Sequence, residues 1–244
     1  MEIKSLGFKS ELIFLEFDGE VVDRGSYVVV KTPTNPGYYW GNLLIFGRPP
    51  IKGDFRKWTA LFDSEFPGPE TQHKTLAWDS PTNEVGDISE FLEANYRLDS
   101  TAVLSAKADQ IFKPAKYNDQ IRIRELQSDT DWVEHIELQT DTGEAHLTRE
   151  QWLSFNTDQF VRYRKMIAAG RGAWFGAYLE GKLIASMGLF HSHGVGRYQM
   201  VATALEHRRK GIAATMVYEV AKRAFQNWNV KDLVMCADPD TKKC

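Results

Sequence analysis

The pattern of apolar and polar residues divides the chain into short strands and amphipathic helices. In the first half, apolar runs of strand length, bounded by turn residues, predict strands at residues 11–17, 26–31, 38–46, 74–78 and 98–106. Apolar residues at helical spacing instead predict helices at residues 54–66 and 88–95. Helices and strands follow each other along the chain, so the pattern predicts an α/β fold.

The second half has clearer boundaries. Residues 121–126 alternate as a half-exposed strand should, and the N-caps at residues 128–131 open a helix. Thr148 and Gln151 are spaced as a capping box, with Leu147 and Trp152 as its hydrophobic staple, and this second helix should stop at Gly170. Strands are expected at residues 173–179 and 182–190, joined by a turn at residues 180–181, and then at residues 198–203 and 231–238.

Residues 201–215 carry the most specific chemistry, because a strand turns sharply into a helix there. The start of a helix has free N–H groups and the positive end of the helix dipole, so it attracts an anion. Gly211 and Ala213 are small enough for a phosphate to approach the backbone. Three cations adjoin them, Arg208, Arg209 and Lys210. We interpret this turn as a cradle for a diphosphate.

The six residues from Arg208 to Ala213 resemble the acetyl-CoA signature of the GNAT superfamily of N-acetyltransferases. That signature is Arg or Gln, two residues, Gly, one residue, and then Gly or Ala, opening a helix after a strand. The order of elements from about Ile121 onward is also similar to the family. The resemblance implies a GNAT fold, a mixed and mostly antiparallel sheet flanked by helices, with an acetyl-CoA-binding domain at residues 116–244.

In this family the strands before and after the cradle helix splay apart, and the pantetheine arm of acetyl-CoA, the co-substrate, lies in the gap. The resemblance therefore implies a set of cofactor contacts: Val201, Ala202, Thr203, Arg208, Arg209, Lys210, Gly211, Ile212, Ala213 and Ala214. Backbone groups of the first three would bind the pantetheine as an added strand would. Backbone N–H groups from Arg209 to Ala214 would hold the diphosphate.

The first half has the element order of the second half of an acetyltransferase domain, so we interpret residues 1–115 as a degenerate GNAT-like copy, with a linker at residues 107–120. Its counterpart of the cradle, residues 47–53, contains Pro49 and Pro50, which lack N–H donors. We therefore predict that this half does not bind CoA in that manner. An aromatic cluster there lines a substrate pocket or packs in the core: Tyr38, Tyr39, Trp40, Phe55 and Trp58.

Acetyl transfer to an amine needs a base for the amine proton and a donor for the oxyanion, for which a backbone N–H near Val201 is suited. Cys236 reads as buried, so direct transfer is favoured over an acyl-enzyme. His191, Tyr198 and Glu206 are candidates for the base or acid. The pair His191 and His193 could also bind a metal, but no other His or Cys has a supporting spacing, so we expect no metal.

Three aromatic residues in the second helix of this half are either acceptor contacts or core residues: Phe155, Phe160 and Tyr163. Family members usually continue beyond the strand at residues 231–238 into another helix and two more strands. That helix often supplies a tyrosine acid. Here the sequence ends at Cys244, so the domain is interpreted as truncated after its fifth strand, or the first half supplies the missing wall.

Composition narrows the alternatives for function. The 244 residues carry a net charge of -3, which gives no general field for nucleic acid or an anionic membrane, and no apolar run is long enough for a bilayer. Two cysteines and no signal core favour the cytoplasm. The sequence is compatible with a homodimer but does not indicate one. We therefore expect an acetyl-CoA-dependent N-acetyltransferase acting on a small-molecule or peptide amine, or alternatively a non-catalytic CoA-binding or structural module. A Walker-type nucleotide site is a poor third interpretation, because the Lys-Ser or Lys-Thr ending of that loop is absent and Lys210 is followed by Gly211 and Ile212.

Overall fold

The chain forms two compact units, described here in a computed structural model. The structure describes residues 1–143 and 148–237, without the side chains of residues 154, 155 and 158. One unit is built from Met1–Val103 with Ala237, and the other from Leu104–Cys236, so the strand Ala102–Ala106 crosses the boundary. The division falls earlier than the expected one after residue 115, so the whole linker, residues 107–120, belongs to the second unit. Within the described part of the chain, no helix has both the length and the apolarity to cross a membrane.

The first unit is a four-stranded sheet with helices on both faces. Its elements are α1 (Leu6–Asp18), β1 (Glu20–Asp23), β2 (Tyr27–Lys31), β3 (Leu43–Phe46), α2 (Asp54–Glu65), β4 (Thr75–Trp78) and α3 (Ser89–Glu93). The strand order is β1-β2-β3-β4; β1–β2 and β2–β3 are antiparallel, and β3–β4 is parallel. Helix α1 packs on one face, and α2 and α3 cover the other with a layer of aromatic side chains.

The strand predicted at residues 11–17 is wrong, because this segment lies within α1. The hydroxyl of Ser5 accepts a hydrogen bond from the N–H of Phe8 and begins the helix. Phe8, Leu12 and Leu15 then follow at helical spacing and pack on the sheet. The apolar run fits the spacing of a strand as well as that of a helix. The Ser5 cap and the packing on the sheet stabilise the helix.

The second unit is built on a six-stranded sheet. Its elements are β5 (Ala102–Ala106), β6 (Arg122–Glu125), α4 (Asp129–Thr142), α5 (Arg149–Ala168), β7 (Gly172–Leu179), β8 (Lys182–Ser192), β9 (Val195–Thr203), α6 (Ile212–Asn227) and β10 (Asp232–Ala237). The strand order is β5-β10-β9-β8-β7-β6. The β6-to-β9 neighbours are antiparallel, and β10 is parallel to β9, as predicted.

Strand β5 lies beside β10 in this second sheet, although by chain order it follows the elements of the first. A strand from earlier in the chain thus lies at this edge of the second sheet. Helix α6 packs on one face of the sheet, with Ile212, Met216, Val220 and Ala224 at helical spacing and all buried. The mixed α/β fold with sheets flanked by helices is confirmed.

An aromatic layer fills the opposite face, between the sheet and the helices α4 and α5. The rings of Phe160 and Tyr163 are buried around Trp174, which is fully enclosed. These two residues therefore pack in the core, and the side chain of Phe155 lies outside the described residues. The capping box of Thr148 and Gln151 is confirmed, whereas its staple partner Leu147 also lies outside them.

Asp131 is the best-connected carboxylate of the second unit. It is buried in the first turn of α4 and accepts two hydrogen bonds from Arg124, at 2.7 and 2.9 Å. The N–H groups of Gln127 and Ser128 and the hydroxyl of Tyr178 also donate to it. The Arg124 bond, helped by the backbone donors against the effect of burial, holds the pKa of Asp131 well below its usual value. This residue ties β6, α4 and β7 together.

We expect Asp131→Asn to lower the free energy of unfolding at pH 7 by about 2 to 3 kcal/mol, because a buried charged acceptor is lost. A depressed pKa in the folded state contributes stability that is present above the unfolded pKa and is lost as pH falls. The difference between wild type and variant should therefore shrink from about pH 4 downward. Urea unfolding at several pH values measures it. Glu137→Gln, in an exposed pair with Arg149, is the control and should cost less than about 0.5 kcal/mol.

Candidate functional site

Strands β9 and β10 pair at one end only. Their parallel ladder runs from Val195 with Asp232 to Arg197 with Val234, while β9 continues to Thr203 and β10 to Ala237. Among the described residues, the β9 edge that would face β10 therefore has no partner strand over residues 198–203. Val201 is 36% exposed there. An unpaired strand edge presents a row of backbone donors and acceptors, so an extended ligand can bind to it as an added strand.

A short 3-10 helix, Leu205–His207, and a turn join this open edge to the start of helix α6. Its N-cap Gly211 has a φ of 78°, and Arg209 before it has a φ of 60°, so the turn is tight and left-handed at both residues. No side chain caps the helix, and its first turn contains no acid. Among the α-helices of the described residues it alone lacks both, because the others have a side-chain cap or an acid. The positive end of α6 is thus left uncompensated.

The predicted cations lie in this turn and are exposed, namely Arg208, Arg209 and Lys210. Arg208 reaches back, and its Nε donates to the carbonyl of Thr203 at 3.2 Å. Among the described residues, no hydrogen bond is donated by the N–H groups from Gly211 to Ala214. The structure therefore brings the predicted cofactor contacts into one continuous surface, from the β9 edge to the first turn of α6.

The first unit also has a strand, a helix and a parallel strand in succession, β3, α2 and β4, but its two parallel strands do not separate. Strand β3 pairs with β4 over all four of its residues, from Leu43 to Phe46. Its helix α2 also follows a left-handed glycine, Gly53, with a φ of 84°. The next residue is Asp54, whose buried carboxylate accepts from the N–H of Ile51 at 2.9 Å and from Arg48 at 2.6 Å. This half thus supplies its own anion, which favours the prediction that it does not bind CoA as the second half would.

The linker packs against the cradle. A Cβ on Gly211 would stand 2.1 Å from the carbonyl oxygen of Lys116, so the glycine is required by the linker as well as by its positive φ. The Lys116 ammonium donates to the carbonyl of Arg209, and Asn118 Nδ2 donates to the carbonyl of Lys210 at 3.0 Å. The side of Gly211 that we expected to be open for a phosphate is therefore occupied by the chain itself.

A β-bulge lies in β9 beside the open edge. The β8–β9 register shifts between Ser186 and Gly188, and Met200 has a φ of 49°, which is strained for this residue. Gln139, buried on α4, donates from Nε2 to the Met200 carbonyl at 2.7 Å and to Ser186 Oγ at 3.2 Å. Ser186 Oγ is also 2.9 Å from Nδ1 of His135, whose burial lowers its pKa to about 3. Neutral polar side chains of α4 and β8 thus hold the bulge from the face of the sheet that α4 covers.

The three candidates for base or acid lie in different places. His191 stacks on Trp228 and pairs with Gly196 at the closed end of β9, about 15 Å along the strand from Val201. Burial, with a smaller effect of Arg171, lowers its pKa. The Tyr198 hydroxyl donates to the carbonyl of Val217 at 2.9 Å, and burial raises its pKa. Only Glu206 lies exposed beside the cradle. A hydrogen bond to its own backbone lowers its pKa.

Comparison with known proteins identifies the second half. Residues 132–243 match the family model described as "Acetyltransferase (GNAT) family". By this match, residues 132–243 are a GNAT acetyltransferase domain. No curated protein matches the chain in sequence.

Solved structures share the fold of the GNAT domain and of the unit before it. A GCN5-related N-acetyltransferase from Kribbella flavida is 12% identical, with a TM-score of 0.64 over 97% of this chain and 86% of that chain. A functionally unknown conserved protein from Staphylococcus epidermidis ATCC 12228 is 14% identical, with a TM-score of 0.67 over 91% and 85%. A GCN5-related N-acetyltransferase from Sphaerobacter thermophilus is 17% identical, with a TM-score of 0.52 over 91% and 75%. At these identities the likeness shows the fold alone.

The remaining predicted site residues are dispersed. In the first unit, Trp58 and Phe55 pack in the core layer, whereas Tyr39 is exposed and stacks on His73, so the five aromatic residues do not form one pocket. The described residues contain no group of three or more metal-binding side chains, and His193 lies in a tight turn. Cys236, expected to be buried, is only partly so.

Two residues that contact the β9 edge and the cradle turn, Gln139 and Asn118, were not predicted from the sequence. Gln139 had a signal, since it continues the buried line of α4 from Trp132 and His135 as a polar residue in an apolar stripe. Asn118 had none, because a polar residue in a polar linker gives no indication of a partner 92 residues later in the chain.

We expect Ala214→Glu to weaken acetyl-CoA binding at least about tenfold, because a carboxylate in the first turn of α6 repels a diphosphate. The same charge favours the helix dipole, so the Tm should stay unchanged or rise. Isothermal titration with acetyl-CoA and thermal melting measure the two effects. Ala214→Gln is the matched control of similar size and should bind like wild type. Equal binding by the glutamate and glutamine variants would place the diphosphate elsewhere.

Proposed function

We propose that this protein is an acetyl-CoA-dependent N-acetyltransferase that transfers the acetyl group directly to an amine of a small molecule or peptide. One observation carries the proposal. The unpaired edge of β9 leads directly to the uncapped, acid-free start of α6, with three exposed cations beside it. An extended thioester arm ending in a diphosphate matches this sequence of surfaces, first strand edge and then helix start.

In this proposal the chain binds acetyl-CoA along its backbone. Main-chain groups of Val201, Ala202 and Thr203 bind the pantetheine arm, and the N–H groups of residues 209–214 bind the diphosphate. The guanidinium and ammonium groups of residues 208–210 neutralise its charge. The GNAT family match of residues 132–243 supports acyl transfer as the type of reaction.

The reaction is a single displacement at the thioester carbonyl. The amine nitrogen attacks the carbonyl carbon, the C–S bond breaks, and CoA leaves as a thiolate that takes up a proton. The amine proton passes to a base, for which the geometry favours Glu206, exposed beside the cradle, over His191 and Tyr198. Positioning the amine beside the thioester supplies most of the acceleration, because no covalent enzyme intermediate is involved.

The bulge in β9 suits the oxyanion. In a trans peptide the N–H of one residue points opposite to the C=O of the residue before it. Gln139 fixes the Met200 carbonyl toward α4, so the Val201 N–H is directed away from α4. That N–H is placed on the strand that carries the open edge, where it can stabilise the developing charge. Gln139 is thus a positioning residue for the oxyanion donor.

Titration of the full chain with acetyl-CoA and with CoA, followed by a thiol-release assay over a panel of small-molecule and peptide amines, tests the proposal. Binding together with amine-dependent thiol release supports it. Binding without release on any amine favours the alternative, a non-catalytic CoA-binding module. Absence of binding for both ligands would overturn the CoA site.

We expect Gln139→Met to lower kcat about ten- to a hundredfold, because the oxyanion donor is no longer held in place. The Kd for acetyl-CoA should change little, since the diphosphate and pantetheine contacts remain. Gln199→Met is the control, because Gln199 precedes the bulge and donates instead to the Tyr163 hydroxyl at 2.8 Å. A fall in kcat of equal size in both variants would indicate a general disturbance of β9.

A further inference from the structure

We propose that residues 116–118 of the linker form part of the GNAT cofactor site, as positioning residues that aim the cradle amides at the diphosphate. The inference rests on the proposed function and assigns to it a segment outside the strand, turn and helix of the acetyl-CoA signature. It is carried by two side-chain donors that reach two consecutive carbonyl groups of the cradle turn from the same segment.

The two hydrogen bonds fix the orientation of two peptide groups, and with them the direction of two backbone N–H groups. The Lys116 ammonium holds the carbonyl of Arg209, and Asn118 Nδ2 holds the carbonyl of Lys210. Each carbonyl belongs to a trans peptide whose N–H, that of Lys210 or Gly211, points the opposite way. Both amides therefore face away from the linker. Consecutive N–H groups around a left-handed residue form an anion-binding concavity, and Arg209 and Gly211 supply the left-handed φ values here.

The segment is anchored to α6 independently of these two bonds. The N–H of Asn118 donates to Thr215 Oγ1 at 2.8 Å, and that hydroxyl donates to the carbonyl of Gly211 at 2.9 Å. The Tyr117 hydroxyl donates to Glu219 Oε1 at 3.0 Å, two turns into the helix. The Lys116 carbonyl lies where Gly211 lacks a Cβ. The linker backbone is thus fixed against the helix start, so its donors are preorganised.

The charge of Lys116 does not explain this arrangement by itself. Lys113 lies in the same linker, but its ammonium sits over the ring of Tyr117 at 4.1 Å and donates no hydrogen bond to the cradle turn among the described residues. The two lysines thus separate a general effect of positive charge from an effect of carbonyl orientation. Gln120 provides a second comparison, as an exposed polar neighbour of Asn118 with no side-chain bond to the cradle among the described residues.

The test compares Lys116→Met with Lys113→Met and Asn118→Ala with Gln120→Ala in the full chain. Affinity for acetyl-CoA and for S-acetylpantetheine, which lacks the diphosphate, is measured for each. Amide resonances of Lys210 and Gly211 are followed by ¹⁵N NMR during titration with inorganic pyrophosphate. We expect Lys116→Met and Asn118→Ala each to weaken acetyl-CoA binding about tenfold, with S-acetylpantetheine affinity unchanged and smaller pyrophosphate-induced shifts. The two controls should remain within about twofold of wild type.

The outcomes separate this inference from the function on which it rests. If Lys116→Met and Asn118→Ala match their controls in affinity and in amide shifts, the linker role is overturned while CoA binding by the wild type stands. Equal weakening for acetyl-CoA and S-acetylpantetheine also overturns it, because that pattern indicates loss of structure. If the wild type binds neither acetyl-CoA nor pyrophosphate, the proposed function itself fails, and the controls will share that result.

Discussion

The loss of pairing between β9 and β10 beyond Arg197 is the constraint on which the rest of the site depends. Two parallel strands that part leave backbone donors and acceptors without partners, and such groups are costly unless water or a ligand binds them. The chain leaves β9 through a short 3-10 helix, Leu205–His207, and reaches the left-handed Gly211, after which α6 starts without a side-chain cap. The cleft and the cradle are therefore one feature of the backbone, produced by the divergence of two strands that a helix connects.

Side chains behind this backbone hold it in shape. Gln139 binds the carbonyl of Met200 from α4, and Asn118 binds that of Lys210 from the linker. In both places a side-chain donor fixes one end of a peptide group, and its N–H consequently faces the other way. A site built from backbone amides gains its precision in this manner, because the amides have no rotamers of their own. The residues that shape it need not touch the ligand.

The two units show how the same connectivity can be open or closed. In each, an antiparallel strand pair is followed by a helix that begins after a left-handed glycine and by a parallel strand. Asp54 places a carboxylate at the start of α2, while α6 has Ile212 at the equivalent position. Strand β3 is paired with its parallel neighbour β4 along its whole length, whereas β9 is paired with its parallel neighbour β10 only over Val195–Arg197. That the first unit is a degenerate copy of the GNAT domain remains a prediction, and the shared connectivity favours it.

The helices and strands from residue 121 onward, and the turn from β9 into α6, were predictable from the sequence. Local signals are sufficient there, since the capping box at Thr148, the hairpin at Glu180 and the apolar line of α6 depend on neighbours within a few residues. Three features could not be predicted in this way: residues 11–17 are helical, β5 lies beside β10, and the linker contacts Gly211. These features depend on surfaces formed by distant parts of the chain. A periodic pattern specifies which face of an element is buried, but it carries no information on which surface covers that face.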